Sequence, residues 1–549
     1  MAGLGLSQCG LRLFNGSLKN KKGGKMPKVL ISDKMSPLAE ECFKARGIEV
    51  DVKTGMTPEE LTACIRNYDG LAVRSATKVR PAVFEAMENL RVIGRAGIGV
   101  DNIDIGEATQ RGIVVMNTPF GNSITTAEHT ISLLLALARQ IPEANASTHA
   151  GKWEKSRFMG VELMGKTLGI IGCGNIGSVV ADRAQGLKMK VVSFDPFLSA
   201  EHATDIGVEK VELDGLFARA DFISLHTPMT DATRNIINAD AIAKMKDGVR
   251  IINCARGGLL EEAAIKAGLD SKKISGVALD VFAEEPAQEN ILFGMEGVVA
   301  TPHLGASTTE AQEKVALQVA EQMADYLLTG AVTNALNMPS VSAEEAARLK
   351  PYMLLAEQLG SFAGQVTTSA VSEVTIAYEG ICGELNCKPL TAVVLQGLLS
   401  PLMVGVNMVN APAIAKQRDV VVREVRSDQA GAYQTLISLT VKTENQTRSI
   451  RGTLFNDEPR VVEIKAIPID AKLGPNMIYI TNNDKPGLIG KLGSILGNAG
   501  LNIATFHLGR AEEGGDAIAL IEVDGIPPND VISALQGLEH VVQAIPMRF

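Results

Sequence analysis

The chain has 549 residues, 46% of them hydrophobic, 21% charged and 4% aromatic, with a formal net charge of −9. Such a length calls for about three to five domains, and such a composition excludes collagen-like, mainly disordered and polytopic membrane classes. The acidic balance offers no broad basic field for a nucleic-acid backbone or an anionic membrane, so neither is expected as a partner.

Residues 1–25 lack acids and carry Lys19, Lys21, Lys22 and Lys25. They are expected to be a disordered extension, with Met26 the functional start. Organellar import is disfavoured by the single arginine, Arg12. From Lys28 strands and helices alternate: a strand at 28–31, an amphipathic helix at 37–46, strands at 71–73 and 91–94, and a long helix at 125–139. Alternation of this kind predicts an α/β fold with a parallel sheet. A second α/β series has strands at 167–171, 191–194, 222–226, 250–253, 276–279 and 298–300. A helix at 308–328 is then expected to return to the first lobe. After Asn337 the sequence predicts a helix at 343–366 and β-rich sequence at 371–378 and 432–442. The final stretch reads strand 477–481, helix 488–499, strand 501–508, strand 517–523, helix 528–538 and strand 541–546, a ferredoxin-like βαββαβ order. The expected division is a first lobe at 26–123, a nucleotide domain at 124–305, a return at 306–337, an α+β segment at 338–472 and the βαββαβ unit at 473–549. Seven scattered cysteines without a CxxC pair suggest a reducing, cytoplasmic compartment, and no metal site is expected. No apolar run reaches the roughly 18 residues of a membrane span.

Gly172-Cys173-Gly174-Asn175-Ile176-Gly177 is a GxGxxG run between an apolar strand and a helix. Its glycines allow a tight turn, approach of a pyrophosphate to the backbone, and close packing of helix on strand. The next strand ends at Asp195, a carboxylate placed to accept from both ribose hydroxyls and to repel a 2′-phosphate. NAD is the expected cofactor. Three later strands are followed by polar residues: Arg256 before Gly257-Gly258, Asp280 to Glu284-Glu285-Pro286, and His303 in Thr301-Pro302-His303. Ligands bind at the carboxyl ends of strands in such sheets. Hydride exchange with a secondary alcohol needs a base for the hydroxyl proton and a cation for the carboxylate. His303 is the candidate acid/base, Glu285 its orienting partner and Arg256 the clamp. In the first lobe Arg74 and Arg95 follow apolar strands, and two such arginines suit a phosphate.

These motifs, in this order, resemble the D-2-hydroxyacid dehydrogenase family. The resemblance implies two Rossmann-like lobes, the first interrupted in sequence by the NAD-binding one. It implies Arg256, Glu285 and His303 as catalytic residues, and cofactor contacts at Gly172, Gly174, Asn175, Ile176, Gly177, Asp195, Thr227, Cys254, Ala255, Asp280, Gly305, Ala306 and Ile98. Substrate contacts are implied at Arg74, Ser75, Arg95 and Gly97, with Arg139 reaching in from a partner subunit and Trp153 at a subunit contact. The likeness is to the long phosphoglycerate-oxidising branch, which implies D-3-phosphoglycerate as substrate and the first step of L-serine biosynthesis. Thr481 to Gly490 and Ala499 to Ile503 resemble an ACT domain, implying L-serine as effector at Asn482, Asp484 and Asn502. Residues 340–472 resemble that branch's intervening domain, with Lys416, Arg451 and Arg460 as an anion site or merely a solvated basic face. A homodimer or homotetramer is implied. Two other readings stay open: a glyoxylate or hydroxypyruvate reductase, and a non-catalytic NAD-sensing regulator.

Overall fold

The computed structural model describes residues 26–341 and 343–549, so the expected extension at 1–25 lies outside the described residues. The first lobe is a five-stranded parallel sheet ordered β2-β1-β3-β4-β5. Its strands are β1 (Lys28–Ile31), β2 (Glu49–Val52), β3 (Gly70–Val73), β4 (Val92–Arg95) and β5 (Val114–Met116). The β3 run Gly-Leu-Ala-Val is wholly buried, as a strand covered by helices on both faces must be. Edge strand β2, Glu-Val-Asp-Val, is half exposed and lacks the continuous apolar run that marks its neighbours.

Helix Thr309–Thr329 returns from far along the chain to cover this sheet, with Val315, Val319 and Met323 in one core with Val29, Ala72 and Val92. The approach is so close that a Cβ on Gly94 would stand 2.3 Å from the Met323 sulfur.

Between the two passes lies a seven-stranded sheet ordered β12-β11-β10-β9-β6-β7-β8, all parallel. Its strands are β6 (Thr167–Ile171), β7 (Lys190–Phe194), β8 (Glu209–Lys210), β9 (Phe222–Leu225), β10 (Val249–Asn253), β11 (Ile274–Leu279) and β12 (Val298–Ala300). The strand order reverses between β6 and β9, the place where open α/β sheets form a ligand crevice. Helix Ser123–Arg139 crosses from the first lobe and packs Ala127, Leu134 and Leu137 against Leu168, Ile170 and Ala278.

The third sheet is mixed and six-stranded, ordered β14-β13-β15-β16-β17-β18. It comprises β13 (Val371–Gly380), β14 (Val421–Ser427), β15 (Thr435–Thr443), β16 (Thr447–Phe455), β17 (Glu458–Ile464) and β18 (Ile467–Ala471). The sequence predicts β-rich structure here, yet helix Cys387–Leu399 lies in its middle. That helix is buried on nearly every side, so it carries no amphipathic period for a sequence reading to find. It packs on helix Ala343–Gln365 backbone to backbone: a Cβ on Gly360 would stand 2.3 Å from the Val394 carbonyl oxygen.

The last sheet, β20-β21-β19-β22, has ferredoxin-like order. Its strands are β19 (Asn476–Asn483), β20 (Ile503–Arg510), β21 (Asp516–Val523) and β22 (Val541–Arg548). Alternation along β19 and β21 splits its residues between two cores. Ile478, Ile480, Ala519 and Ile521 face helices Leu488–Asn498 and Asn529–Gln536, while Tyr479, Ile518 and Leu520 join the core of the third sheet. Phe362 meets Tyr479 edge to face at 5.1 Å, and Gln365 bonds both the N–H and the carbonyl of Arg548. The two C-terminal sheets therefore share one hydrophobic core. They touch the first lobe where the Asn407 and Asn410 side-chain amides donate to the carbonyls of Gly112 (2.9 Å) and Gln110 (3.2 Å). Among the described residues no helix is long and apolar enough to cross a membrane.

Candidate active site

The glycine turn after β6 has the geometry a dinucleotide needs. Gly172 has φ of 90°, and a Cβ there would stand 2.7 Å from the His226 carbonyl oxygen. A Cβ on Gly177 would stand 2.1 Å from the Gly172 carbonyl oxygen, so only glycine lets helix Asn175–Gly186 pack this near. Gly174 has nothing within 4 Å of its missing side chain, which leaves an open backbone face. The helix begins without a side-chain cap, so its first N–H groups and its positive dipole end are free for an anion. Ile176 packs into the core below, and the Asn175 amide reaches the Pro119 carbonyl at 3.5 Å.

Asp195 follows β7. One carboxylate oxygen accepts from the Cys173 N–H and the other from the Phe197 N–H, each at 2.8 Å. The sequence reading gave Asp195 only a ribose role; the structure adds a tether between the glycine turn and the neighbouring strand end. Asp195→Ala is therefore expected to raise KM for NAD and cut the preference for NAD over NADP by about 10- to 100-fold. That is the worth of one or two hydrogen bonds to a charged group. Parallel steady-state titrations of the two cofactors check it.

Thr227 follows His226, whose Nε2 pairs with the Ser224 hydroxyl at 2.8 Å and whose imidazole burial pushes down to about 4. Burial pushes the Cys254 thiol up to about 12, so it is no nucleophile at neutral pH. The Ala255 N–H is fixed on the Asn253 side chain at 3.0 Å.

Beyond β12, His303 adopts φ of 55° and turns its Nδ1 onto the Glu285 carboxylate at 2.7 Å. The other Glu285 oxygen accepts from the Phe282 N–H at 3.1 Å. Burial works to raise the Glu285 carboxyl, but the His303 and Phe282 hydrogen bonds and the Arg256 charge hold it below its ordinary value. An ionised Glu285 fixes Nδ1 as the donor, which leaves Nε2 for proton exchange.

Asp280 ends β11 fully buried. Its carboxylate accepts from the Thr301 hydroxyl (2.6 Å) and the N–H groups of Leu304 (2.7 Å) and Gly305 (2.8 Å), so Gly305-Ala306 is held beside it. His129, a residue the sequence reading did not single out, completes this group. It lies inside a helix, where no strand-end argument applies.

Three guanidinium groups meet across the cleft. Arg256 pairs through Nε with Asp101 at 3.0 Å and donates to the Ala255 carbonyl at 2.6 Å. Its Nη2 lies 1.7 Å from where a Cβ on Gly99 would be, so the first-lobe loop is shaped to receive it. Arg95 has a buried Nε without a partner. Burial, then the charges of Arg256 and Arg74, push Arg95 down to about 10. Gly97, at φ of 139°, lies under it: a Cβ there would stand 1.8 Å from Arg95 Nη1 and push the guanidinium aside. Arg74 is positioned by its N–H on Asp33 (2.6 Å) and by the Asn102 amide on its carbonyl (2.7 Å), with Ser75 exposed in the same turn. Ile98 is held by the Asn117 amide on its carbonyl at 2.7 Å. Asp101 is the second residue the sequence reading passed over.

Three expected groupings are not brought together within one chain. Arg139 is exposed at the far end of helix Ser123–Arg139, roughly 20 Å along the axis from Thr126 at the site. Asn482 and Asp484 line a concavity of about 750 Å³ with Arg510 and Gly487, whereas Asn502 stands outside it with its amide on Asp524 at 2.8 Å. Asp484 accepts from Arg510 (3.0 Å) and from the Gly514 N–H (3.3 Å). Lys416, Arg451 and Arg460 do not form one anion site. Arg451 is engaged by Glu379 and Glu463, Arg460 by Asp470, and Lys416 is exposed on helix Ala411–Gln417.

Three family models match successive parts of the chain. Residues 131–305 match the NAD binding domain of D-isomer specific 2-hydroxyacid dehydrogenases, 348–465 the D-3-phosphoglycerate dehydrogenase intervening domain, and 476–540 the ACT domain. A D-3-phosphoglycerate dehydrogenase of Synechocystis sp. is 42% identical over 526 residues, covering 95% of each chain. One of Methanocaldococcus jannaschii is 42% identical over 518 residues, covering 94% of this chain and 98% of its own. Among solved structures, D-lactate dehydrogenase from Aquifex aeolicus complexed with NAD and lactic acid superposes with a TM-score of 0.51 at 25% identity. It covers 57% of this chain and 100% of its own.

Proposed function

The chain belongs to the D-3-phosphoglycerate dehydrogenases, and from that membership we propose that it oxidises D-3-phosphoglycerate to 3-phosphohydroxypyruvate, the first step of L-serine biosynthesis. The glycine turn at Gly172–Gly177 and Asp195 would hold NAD, which when bound would supply the hydride acceptor for C2 of the substrate. His303 takes the hydroxyl proton at Nε2, and Glu285 stabilises the imidazolium that forms. Arg256 exchanges its Asp101 partner for the substrate carboxylate. Arg74 and Arg95 take the phosphate. The observation that carries this reading is that Arg256 acts on both Glu285 and Arg95, and Arg74 also acts on Arg95, whose buried Nε–H has no partner. An acid charged at both ends satisfies all three.

Steady-state reduction of phosphohydroxypyruvate, hydroxypyruvate and glyoxylate by NADH tests the substrate. We expect kcat/KM for the phosphorylated acid to exceed the others by about 100-fold or more, the worth of two charge-assisted contacts. Equal or reversed preference would make the chain a glyoxylate or hydroxypyruvate reductase.

L-serine is the proposed effector, bound at the concavity that Asn482 and Asp484 line. The shared core of the two C-terminal sheets and the Asn407 and Asn410 contacts give its binding a route to the first lobe. A homodimer or homotetramer is supported by the apolar residues Trp153 (87% exposed), Met159 (77%) and Met164 (76%), too many large side chains in one short segment to face water. The six described cysteines are all free, in keeping with a reducing cytoplasm.

A further inference from the structure

Asp280 is 0% exposed, and a buried carboxylate is tolerated only when its charge and lone pairs are met. Most of that work falls to one short loop. The Thr301 hydroxyl and the Leu304 and Gly305 N–H groups bind the carboxylate, while the His303 N–H binds the Asp280 backbone carbonyl at 2.9 Å. The loop thus wraps around Asp280, and in doing so holds His303 at φ of 55°, a left-handed conformation that a non-glycine residue adopts only under constraint.

The remaining partner comes from another element. His129, on helix Ser123–Arg139, lies with Nε2 3.2 Å from the Asp280 carboxylate and 3.3 Å from the Thr301 hydroxyl. It touches both ends of the contact that closes the loop. Among the described residues it is the one group paired with Asp280 that can carry a positive charge. Its helix is the crossing element between the lobes, starting just after Thr118-Pro119 of the first lobe.

We propose that His129 is a positioning residue: by pairing through Nε2 with Asp280 and Thr301 it fixes loop 301–305 and so sets His303 against Glu285. It touches no substrate and acts through Asp280. The proposal rests on the reading of His303 as the acid/base given above.

The test uses the full chain with His129→Leu, His129→Gln and His129→Asn. Glutamine places an amide N–H at about the reach of Nε2; asparagine is polar but too short. In H129L we expect kcat for phosphohydroxypyruvate reduction to fall by about 10- to 100-fold, the effect of a misplacement near 1 Å, with its KM within about twofold. NADH affinity, read by fluorescence titration without substrate, falls several-fold, and H129Q recovers most of both. H129N falls with H129L while its melting temperature stays near that of the wild type. Wild-type kcat and NADH affinity in H129L or H129N would overturn the proposal. So would an H129Q variant as impaired as H129L, which would leave His129 a packing residue. Failure of the His303 reading is seen separately, as turnover retained in His303→Ala.

Discussion

His303→Ala abolishes turnover while NADH still binds with nearly its original affinity. General acid–base catalysis by a positioned imidazole contributes about 10²- to 10⁴-fold, and among the described residues no other titratable group is placed to replace it. Glu285 is committed to Nδ1 and to the Phe282 N–H, and it is held in the ionised form, which cannot donate a proton. Asp280 is enclosed by the loop and by His129. Burial holds Cys254 as a neutral thiol at neutral pH. Cofactor binding survives because the glycine turn, the open face at Gly174 and Asp195 lie on β6 and β7, while His303 follows the outermost strand on the other side of the reversal. Stopped-flow single turnover with phosphohydroxypyruvate, alongside an NADH titration, separates the two effects. Near-normal turnover in this variant would mean that His303 is not the acid/base, whereas no turnover in the unsubstituted protein would favour a non-catalytic NAD-sensing regulator.

What could be read from the sequence, and what could not, follows from where each side chain sits. Arg256, Glu285 and His303 stand just past buried apolar strands, and a charged residue after such a run is conspicuous. The glycine turn is legible for the same reason, since its demands are local. His129 and Asp101 are different. Each acts through a partner at least 150 positions away, Asp280 and Arg256 respectively, and nothing in its own neighbourhood marks it. Helix Cys387–Leu399 escaped because burial on nearly every side erases periodicity. Edge strand β2 escaped because partial exposure lets polar residues interrupt its run. For Lys416, Arg451 and Arg460 the sequence leaves an anion site and a solvated basic face both open; the register of β16 and β17, which sets Glu463 opposite Arg451, favours the second.

Arg95→Leu should separate substrate choice from stability. Arg95 carries its charge in a largely sequestered site between Arg74 and Arg256, with one N–H unpartnered. In the free protein this arrangement opposes folding, because a half-buried cation beside two like charges is neither fully solvated nor fully compensated. Asp33 and Asp101 offset part of that cost. Leucine removes both the charge and the orphaned donor, so the melting temperature is expected to hold or rise by a few degrees. Function pays instead. The site loses a charge-assisted contact to the phosphate, and kcat/KM for phosphohydroxypyruvate falls by about 10- to 100-fold. Activity on hydroxypyruvate, which never used that contact, changes little. The ratio of the two kcat/KM values therefore collapses while the protein stays at least as stable. A lowered melting temperature with both substrates equally impaired would mean that Arg95 serves an internal ion pair. The distinction is sharp because the two roles predict opposite signs of stability change: an arginine kept for structure is missed when it is removed, whereas one kept for an absent anion is a strain until that anion arrives.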